Sequence, residues 1–493
     1  MKKLCLFLVF VLMMASFSAF AEIDASALEP YEIVWYTVGE VHDKDAEVEA
    51  AINAYLTEKF NCTLKIIKGT YSETIEKIQY LTADTKTPWD MITVDNQYAN
   101  YVAKEAFYPM SALVNEYGQD ILAKWPAALW QAVTINGEFY AVPTHKYSCS
   151  HFYFAISIDQ ANAAGVDVEW VYEEDMEKLE KWDAFKTYLV EMAEAGAGMN
   201  GYITHLNPAT FQALYPYEAL TGNTIDPGVC LIGEDSFAGF ERNEVFNQYA
   251  TPEFAAFVKD AYELAQAGAL PKDPDTSATM KKNDPAPSVQ DSMAKRLAGY
   301  ERTYQQDYEA YFPSYGFQTT DKIFGSMNAI NAHSADPARV MMFLNACVAD
   351  PDFANLVAYG IEGINWTRNE DGQIARHTDG TQWYLNTAYF HAFIIAEPDN
   401  SLPVNMVEMY EAFDKVLVPS DNVGFAFDES NILTELAAVR QVTEQYLNPL
   451  VCGLADPETT LPAFLDALNA AGVDVVIDEL QNQLDAWRVS MGF

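Results

Sequence analysis

Between residues 31 and 94 the chain alternates short apolar runs with stretches whose apolar positions recur at helical spacing. Residues 31–38 are almost continuously apolar, the pattern of a strand buried on both faces. Asp43 then stands where an N-cap is expected, followed by Val48, Ile52, Tyr55, Leu56 and Phe60 on one helical face. Residues 63–67 read as a second strand, 72–81 as a second helix and 90–94 as a third strand. This βαβαβ order predicts a parallel sheet with right-handed crossovers, and such sheets bind ligands beyond the carboxyl ends of their strands. The loops to watch are Gly39-Glu40-Val41-His42 and Asp95-Asn96-Gln97-Tyr98.

The second half is patterned for helices. Thr251-Pro252, Asp336-Pro337, Asp350-Pro351 and Asp456-Pro457 each place a capping side chain before a proline suited to the first helical turn. Gly268, Gly360 and Gly472 are placed to close three of these helices. The final helix aligns Val476, Leu480, Leu484 and Trp487 on one face, and Cys347 falls on the apolar face of another. Residues 270–288, with four prolines among polar residues, read as a long surface loop returning between lobes.

The first residues have the form of a secretion leader. Lys2 and Lys3 precede an apolar run at 4–17, and Ala19-Phe20-Ala21 gives the small-x-small pattern that predicts cleavage after Ala21. Cys5 lies inside the apolar run, so no lipoprotein signal is read. No later stretch is apolar for long enough to span a bilayer, so the mature chain is expected to be soluble and periplasmic or extracellular. Its length exceeds one ordinary hydrophobic core.

Charge narrows the partners. The net charge of −42 becomes −44 once Lys2 and Lys3 are removed, which disfavours nucleic acid and anionic membrane surfaces. Only eight arginines remain, too few to suggest a polyanionic ligand. Cys62, Cys149, Cys230, Cys347 and Cys452 survive processing; they lack metal-ligand spacing, and their odd number leaves at least one thiol free.

Several short motifs, in order, resemble family 1 extracellular solute-binding proteins of ABC importers. They are Val34-Trp35-Tyr36-Thr37-Val38-Gly39, Gly137-Glu138-Phe139-Tyr140-Ala141-Val142-Pro143 and Asn328-Ala329-Ile330-Asn331-Ala332-His333-Ser334 with Asp336-Pro337-Ala338-Arg339. Tyr359-Gly360-Ile361-Glu362-Gly363-Ile364-Asn365-Trp366 extends the likeness to the LipO-like branch. Gly424-Phe425-Ala426-Phe427-Asp428 and Gln481-Asn482-Gln483-Leu484-Asp485-Ala486-Trp487 resemble the C-terminal domain of unknown function of that branch. Lipid anchoring, usual in Gram-positive relatives, is not signalled here.

The resemblance implies an α/β, two-lobed periplasmic-binding-protein (Venus-flytrap) fold, type II-like, with a helical C-terminal segment. The expected division is a signal peptide at 1–21, an N-lobe of 22–146 plus 297–334, and a C-lobe of 147–296 plus 335–423. Residues 424–493 are then a helical segment packing on the lobes. A monomer that closes on a small solute and hands it to permease subunits is implied, with no cofactor or metal.

A saccharide cleft needs aromatic faces for the ring and planar polar groups for adjacent hydroxyls. Position selects Glu40, Asp95, Asn96 and Gln97 at the N-lobe edge, with Asp95 and Asn96 equally suited to capping the next helix. Lys146 and Tyr147 stand at the first crossing and Tyr300 and Glu301 near the return, while Glu362 and Trp366 occupy a glycine-bounded loop. Trp366 is the first choice for stacking, set against the alternative of a core plug. Trp383, Tyr389 and His391 are weaker choices, and Trp35 and Trp487 read as core.

Two other readings stand beside saccharide import. A peptide or amino-acid importer could use Arg302 or Arg368 for a carboxylate. A secreted carbohydrate-active hydrolase needs two carboxylates and no local motif. No GxSxG, HExxH, phosphate-binding loop or Gly-rich dinucleotide turn is present, so catalysis is not expected.

Overall fold

The computed structural model describes residues 25–83, 86–94, 97–145, 154–173, 176–196, 206, 208–270, 308–311, 317–370, 372–386, 395–397, 415 and 417–493. The expected βαβαβ unit is present as β1 (Tyr31–Glu40), α1 (Asp45–Phe60), β2 (Cys62–Gly69), α2 (Tyr71–Ala83) and β3 (Met91–Val94), followed by the short α3 (Tyr98–Ala103). β1 lies between β2 and β3 and is parallel to both. The sheet then grows antiparallel: β5 (Met327–Ile330) adds to the free edge of β3, and β4 (Val142–Pro143) adds to β5. Asp43 does not cap α1, which begins two residues later; Asp45 instead accepts from the His42 N–H (3.2 Å) and the Lys68 ammonium (2.9 Å).

Buried polar side chains fix the register of this sheet. Asp90, at the entry to β3, accepts from the Val34 N–H (2.9 Å), the Tyr31 hydroxyl (2.6 Å) and the Ser334 hydroxyl (2.6 Å). Asn328 of β5 accepts from Trp35 Nε1 and Thr93 Oγ1, both at 3.3 Å, at full burial. The Asn328–Ser334 motif therefore holds the returning strand to β1 and β3, where an unpaired amide or carboxylate would be costly.

The Asp-Pro helices form as expected. α4 (Pro337–Ala349) and α5 (Pro351–Tyr359) start with Asp336 and Asp350 accepting from backbone N–H groups. Both helices belong to the first hydrophobic core, with Phe343 against Trp35 at 5.9 Å between ring centroids. So do Trp366, Ile374, Trp383, Leu385 of the strand Tyr384–Leu385, Ala396 and Val423. The described side chains of 335–423 that enter a core thus enter the first one, a correction to their expected place in the C-lobe. The physical reason is that α4 is apolar almost all round, and it fills the space between β1 and the helices Ser111–Tyr117 and Gln119–Lys124.

A second core collects the helix Lys178–Glu194, the strands Tyr217–Ala219, Gly228–Leu231 and Phe246–Asn247, and the helix Pro252–Gln266. Three C-terminal helices complete it: α6 (Leu433–Val451), α7 (Pro457–Ala471) and α8 (Val473–Met491). Val476, Leu480 and Leu484 of α8 are fully buried there, and Trp487 is partly buried. A Cβ on Gly228 would overlap the Leu480 side chain, so Leu480 of α8 packs directly on the backbone of that strand.

Cys62, Cys230, Cys347 and Cys452 are buried and form no disulfide among the described residues, and burial pushes the Cys62 thiol up to about 11. Cys149 and residues 271–300 lie outside the described residues. Among the described residues no single helix is long and apolar enough to cross a membrane.

Replacing Asp90 by Ala would strand the buried Val34 N–H and leave two part-buried hydroxyls without their acceptor. Urea unfolding should show a loss of about 3 kcal/mol; a loss within experimental error would deny Asp90 this role.

Candidate functional site

The two cores adjoin where two segments of the chain cross between them. Phe317–Gln318 pairs in parallel with Val418–Pro419, and the Ser420 N–H donates to the Gln318 carbonyl (2.8 Å). Further on, Thr320 Oγ1 donates to the Asn422 carbonyl (3.3 Å) and accepts from the Gly424 N–H (2.9 Å). Gln131 of the first lobe donates to the Val423 carbonyl (2.9 Å). Val423 lies in the first core and Phe425 in the second, so the chain changes core across Gly424. Gly424 has φ +98°, and a Cβ there would stand 2.9 Å from the Gln131 carbonyl oxygen. Only glycine suits that position.

An open cavity of about 60 Å³ sits at this junction. Gln97 and Asn100 line it from the start of α3 and the residue before it, Glu218 and Thr221 from the second lobe, and Asp321 and Asn422 from the crossing segments. Phe324, Phe425 and Phe427 supply apolar wall. In the present lobe arrangement the space suits a few water molecules rather than a sugar ring.

Glu218 is the buried carboxylate of the cavity. Its Oε2 accepts from Ser420 Oγ (2.6 Å) and Asn422 Nδ2 (3.2 Å), and Cys230 Sγ lies at 3.9 Å. Burial pushes its carboxyl from the ordinary 4.5 up to about 7, although the bonds from Ser420 and Asn422 pull the other way. Asp321 and Asp421 add to the rise.

Of the residues chosen from sequence, Gln97 is on the cavity wall, where its Oε1 accepts from Asn100 Nδ2 (2.9 Å). Glu40 is exposed at the end of β1, its carboxylate 3.7 Å from His42 Nε2. The pairing Trp35↔Met91 and Tyr36↔Ile92 places Glu40 on the same carboxyl edge as the start of α3. Glu362 is exposed, 3.9 Å from Arg368 Nε, and is not among the cavity residues.

Trp366 is 5% exposed, and its Nε1 donates to the Gly360 carbonyl (3.1 Å). It plugs the first core, a correction to its expected exposure; the glycines shape a loop that folds the indole inward. Trp383 is likewise buried, beneath the Lys68 ammonium at 3.4 Å from its ring. Arg368 is held by Glu397 through two bonds of 2.8 and 3.0 Å. Asp95, Asn96, Lys146, Tyr147, Tyr300, Glu301, Arg302, Tyr389 and His391 lie outside the described residues.

Sequence reasoning missed Glu218, Thr221, Asp321 and Asn422. The one usable signal was the Gly424–Asp428 motif, which marks the crossing without pointing to its neighbours.

The raised Glu218 carboxyl makes stability depend on pH in a definite direction. The folded state holds this proton more tightly than the unfolded chain, so the contribution is full below about pH 4.5 and is lost as pH rises through about 7. That loss is on the order of 3 kcal/mol. In urea unfolding between pH 4 and 8, the difference between wild type and Glu218→Gln should change over this window. A constant difference would show that Glu218 titrates normally.

Comparison with known proteins agrees with this architecture. The model of DUF3502, a domain of unknown function, matches residues 422–489. The chain is 23% identical over 480 residues to a carbohydrate ABC transporter substrate-binding protein of Streptococcus pneumoniae serotype 4 (strain ATCC BAA-334 / TIGR4), covering 92% of this chain and 90% of that protein. It is similar to the crystal structure of the N-glycan transport solute binding protein NgtS from Streptococcus pneumoniae, at 19% identity and a TM-score of 0.71, covering 93% of this chain and 99% of that one. For NgtS in complex with Man1GlcNAc the values are 19%, 0.67, 92% and 99%. The family 1 solute-binding resemblance read from the residues is borne out: the chain has the two-lobed fold of these proteins and ends in the domain DUF3502.

Proposed function

We propose that this protein captures a neutral saccharide between its two lobes and delivers it to an ABC importer without turning it over. The observation that carries the reading is the junction cavity, where amides, hydroxyls and carboxylates from both lobes converge beside phenylalanine rings. Groups of that kind pair with adjacent hydroxyls and cover the apolar face of a sugar. The cavity is too small for a ring as it stands, so ligand entry belongs to a more open arrangement and retention to a closed one.

The relatives support the saccharide class. One is a carbohydrate ABC transporter substrate-binding protein, and NgtS has been crystallised with Man1GlcNAc. In this reading Gln97 contacts the solute from the first lobe and Glu40 stands at the rim. The leader at 1–21 directs export, and the mature chain works as a monomer that meets permease subunits at the membrane. The peptide reading gains no support from Arg368, whose guanidinium is already engaged by Glu397.

A thermal-shift screen of the chain from Glu22, against mono- and oligosaccharides, amino acids and short peptides, tests the proposal. A bound saccharide at a hundred times its Kd should stabilise the fold by about 2.7 kcal/mol, with no product formed in the same tube. Gln97→Ala should weaken that saccharide about tenfold, the loss of roughly one good hydrogen bond. A shift with peptides alone would overturn the saccharide assignment, and release of product would overturn simple capture.

A further inference from the structure

The domain of unknown function begins on the crossing segment itself, at Asn422. The side-chain amide of Asn422 is held at both ends. Its Nδ2 donates to Glu218 of the second lobe (3.2 Å), and its Oδ1 accepts from Arg488 Nη1 (3.3 Å), 66 residues later on α8. Arg488 donates also to Asn243 Oδ1 (3.1 Å), which ties the same guanidinium to the second lobe. Trp487 stands edge-on to Phe425 at 5.9 Å, and its ring borders the space that Gly424 leaves open.

The rest of α8 is fixed to the second lobe. Val476, Leu480 and Leu484 are buried in its core, and Gln481 accepts from the Val245 N–H (2.8 Å) while donating to the Asn243 carbonyl (3.1 Å). The first lobe reaches residues 422–424 through the Val423 side chain, buried in its core, and through hydrogen bonds with Thr320 and Gln131. One side of the crossing is therefore clamped by a packed helix, and the other is held by one buried side chain and a few hydrogen bonds.

We infer that the function of this domain is to brace the hinge. It fixes Asn422 and Phe425 to the second lobe, so that lobe rotation is confined to Val423, Gly424 and the bonds made by Thr320 and Gln131. The inference rests on the reading of the protein as a two-lobed solute binder. It can nonetheless be tested with no solute present.

Spin labels at Glu58→Cys and Lys259→Cys, exposed sites on opposite lobes, in a Cys149→Ser background, report the interlobe distance distribution of the unliganded chain. Trp487→Ala and Arg488→Ala should widen that distribution at least twofold, with Trp487→Phe and Arg488→Lys as milder variants should the first pair not fold. Leu484→Ala, which weakens the same helix away from the crossing, should lower the unfolding midpoint and leave the width unchanged. Equal widening by Leu484→Ala, or no widening by the Trp487 and Arg488 variants, would reduce the domain to a piece of core and overturn the inference. Because no ligand enters the measurement, failure to find a saccharide would bear only on the proposed function.

Discussion

The Asn422 amide has its nitrogen taken by the Glu218 carboxylate and its oxygen by the Arg488 guanidinium. A planar amide placed between a carboxylate and a guanidinium is oriented by both, since each can bond only the complementary end. The backbone that follows is equally constrained, because Val423 enters one core, Phe425 the other, and Gly424 alone can make the turn between them. How the two lobes stand relative to each other depends on these few residues. The cavity exists because they hold α3, Thr221 and Phe427 around a common space.

Much of the first lobe was legible from hydrophobic periodicity. The apolar run of β1, the helical face of α1 and the order of the first three strands all appear as expected, because each is a local pattern with one favoured burial. The Asp-Pro starts were legible for the same reason, since a cap bonds groups within three residues of itself. The start of α1 was not: the helix begins at Asp45, whose carboxylate bonds Lys68 on β2, and Asp43 stands outside it. The allegiance of α4 and α5 was also hidden. Periodicity shows that a helix is buried, and nothing local shows which of two cores receives it.

The site was less readable than the fold. Gln97 was found because topology alone predicts that loops after parallel strands line the ligand edge. Trp366 was misjudged because flanking glycines are compatible both with an exposed ring and with a loop that tucks the ring inward. The bond from its indole to Gly360 shows the second. Glu218 carried no signal at all: it is one of many acidic residues in an acidic chain, and its raised carboxyl comes from burial, against the pull of bonds from Ser420 and Asn422 about two hundred residues away.

The interleaving of the two cores has a consequence for how the chain can be made. The central sheet of the first lobe lacks β5, which joins β3 to β4, until Met327–Ile330 exists, and its core is not complete before Val423. The second core waits for Leu484. Folding lobe by lobe in order of synthesis, common in larger proteins, is therefore disfavoured by this interleaving. Its long-range pairings must also overcome large loop-closure entropies before they stabilise anything. Neither core is complete until the chain has been made through Val423.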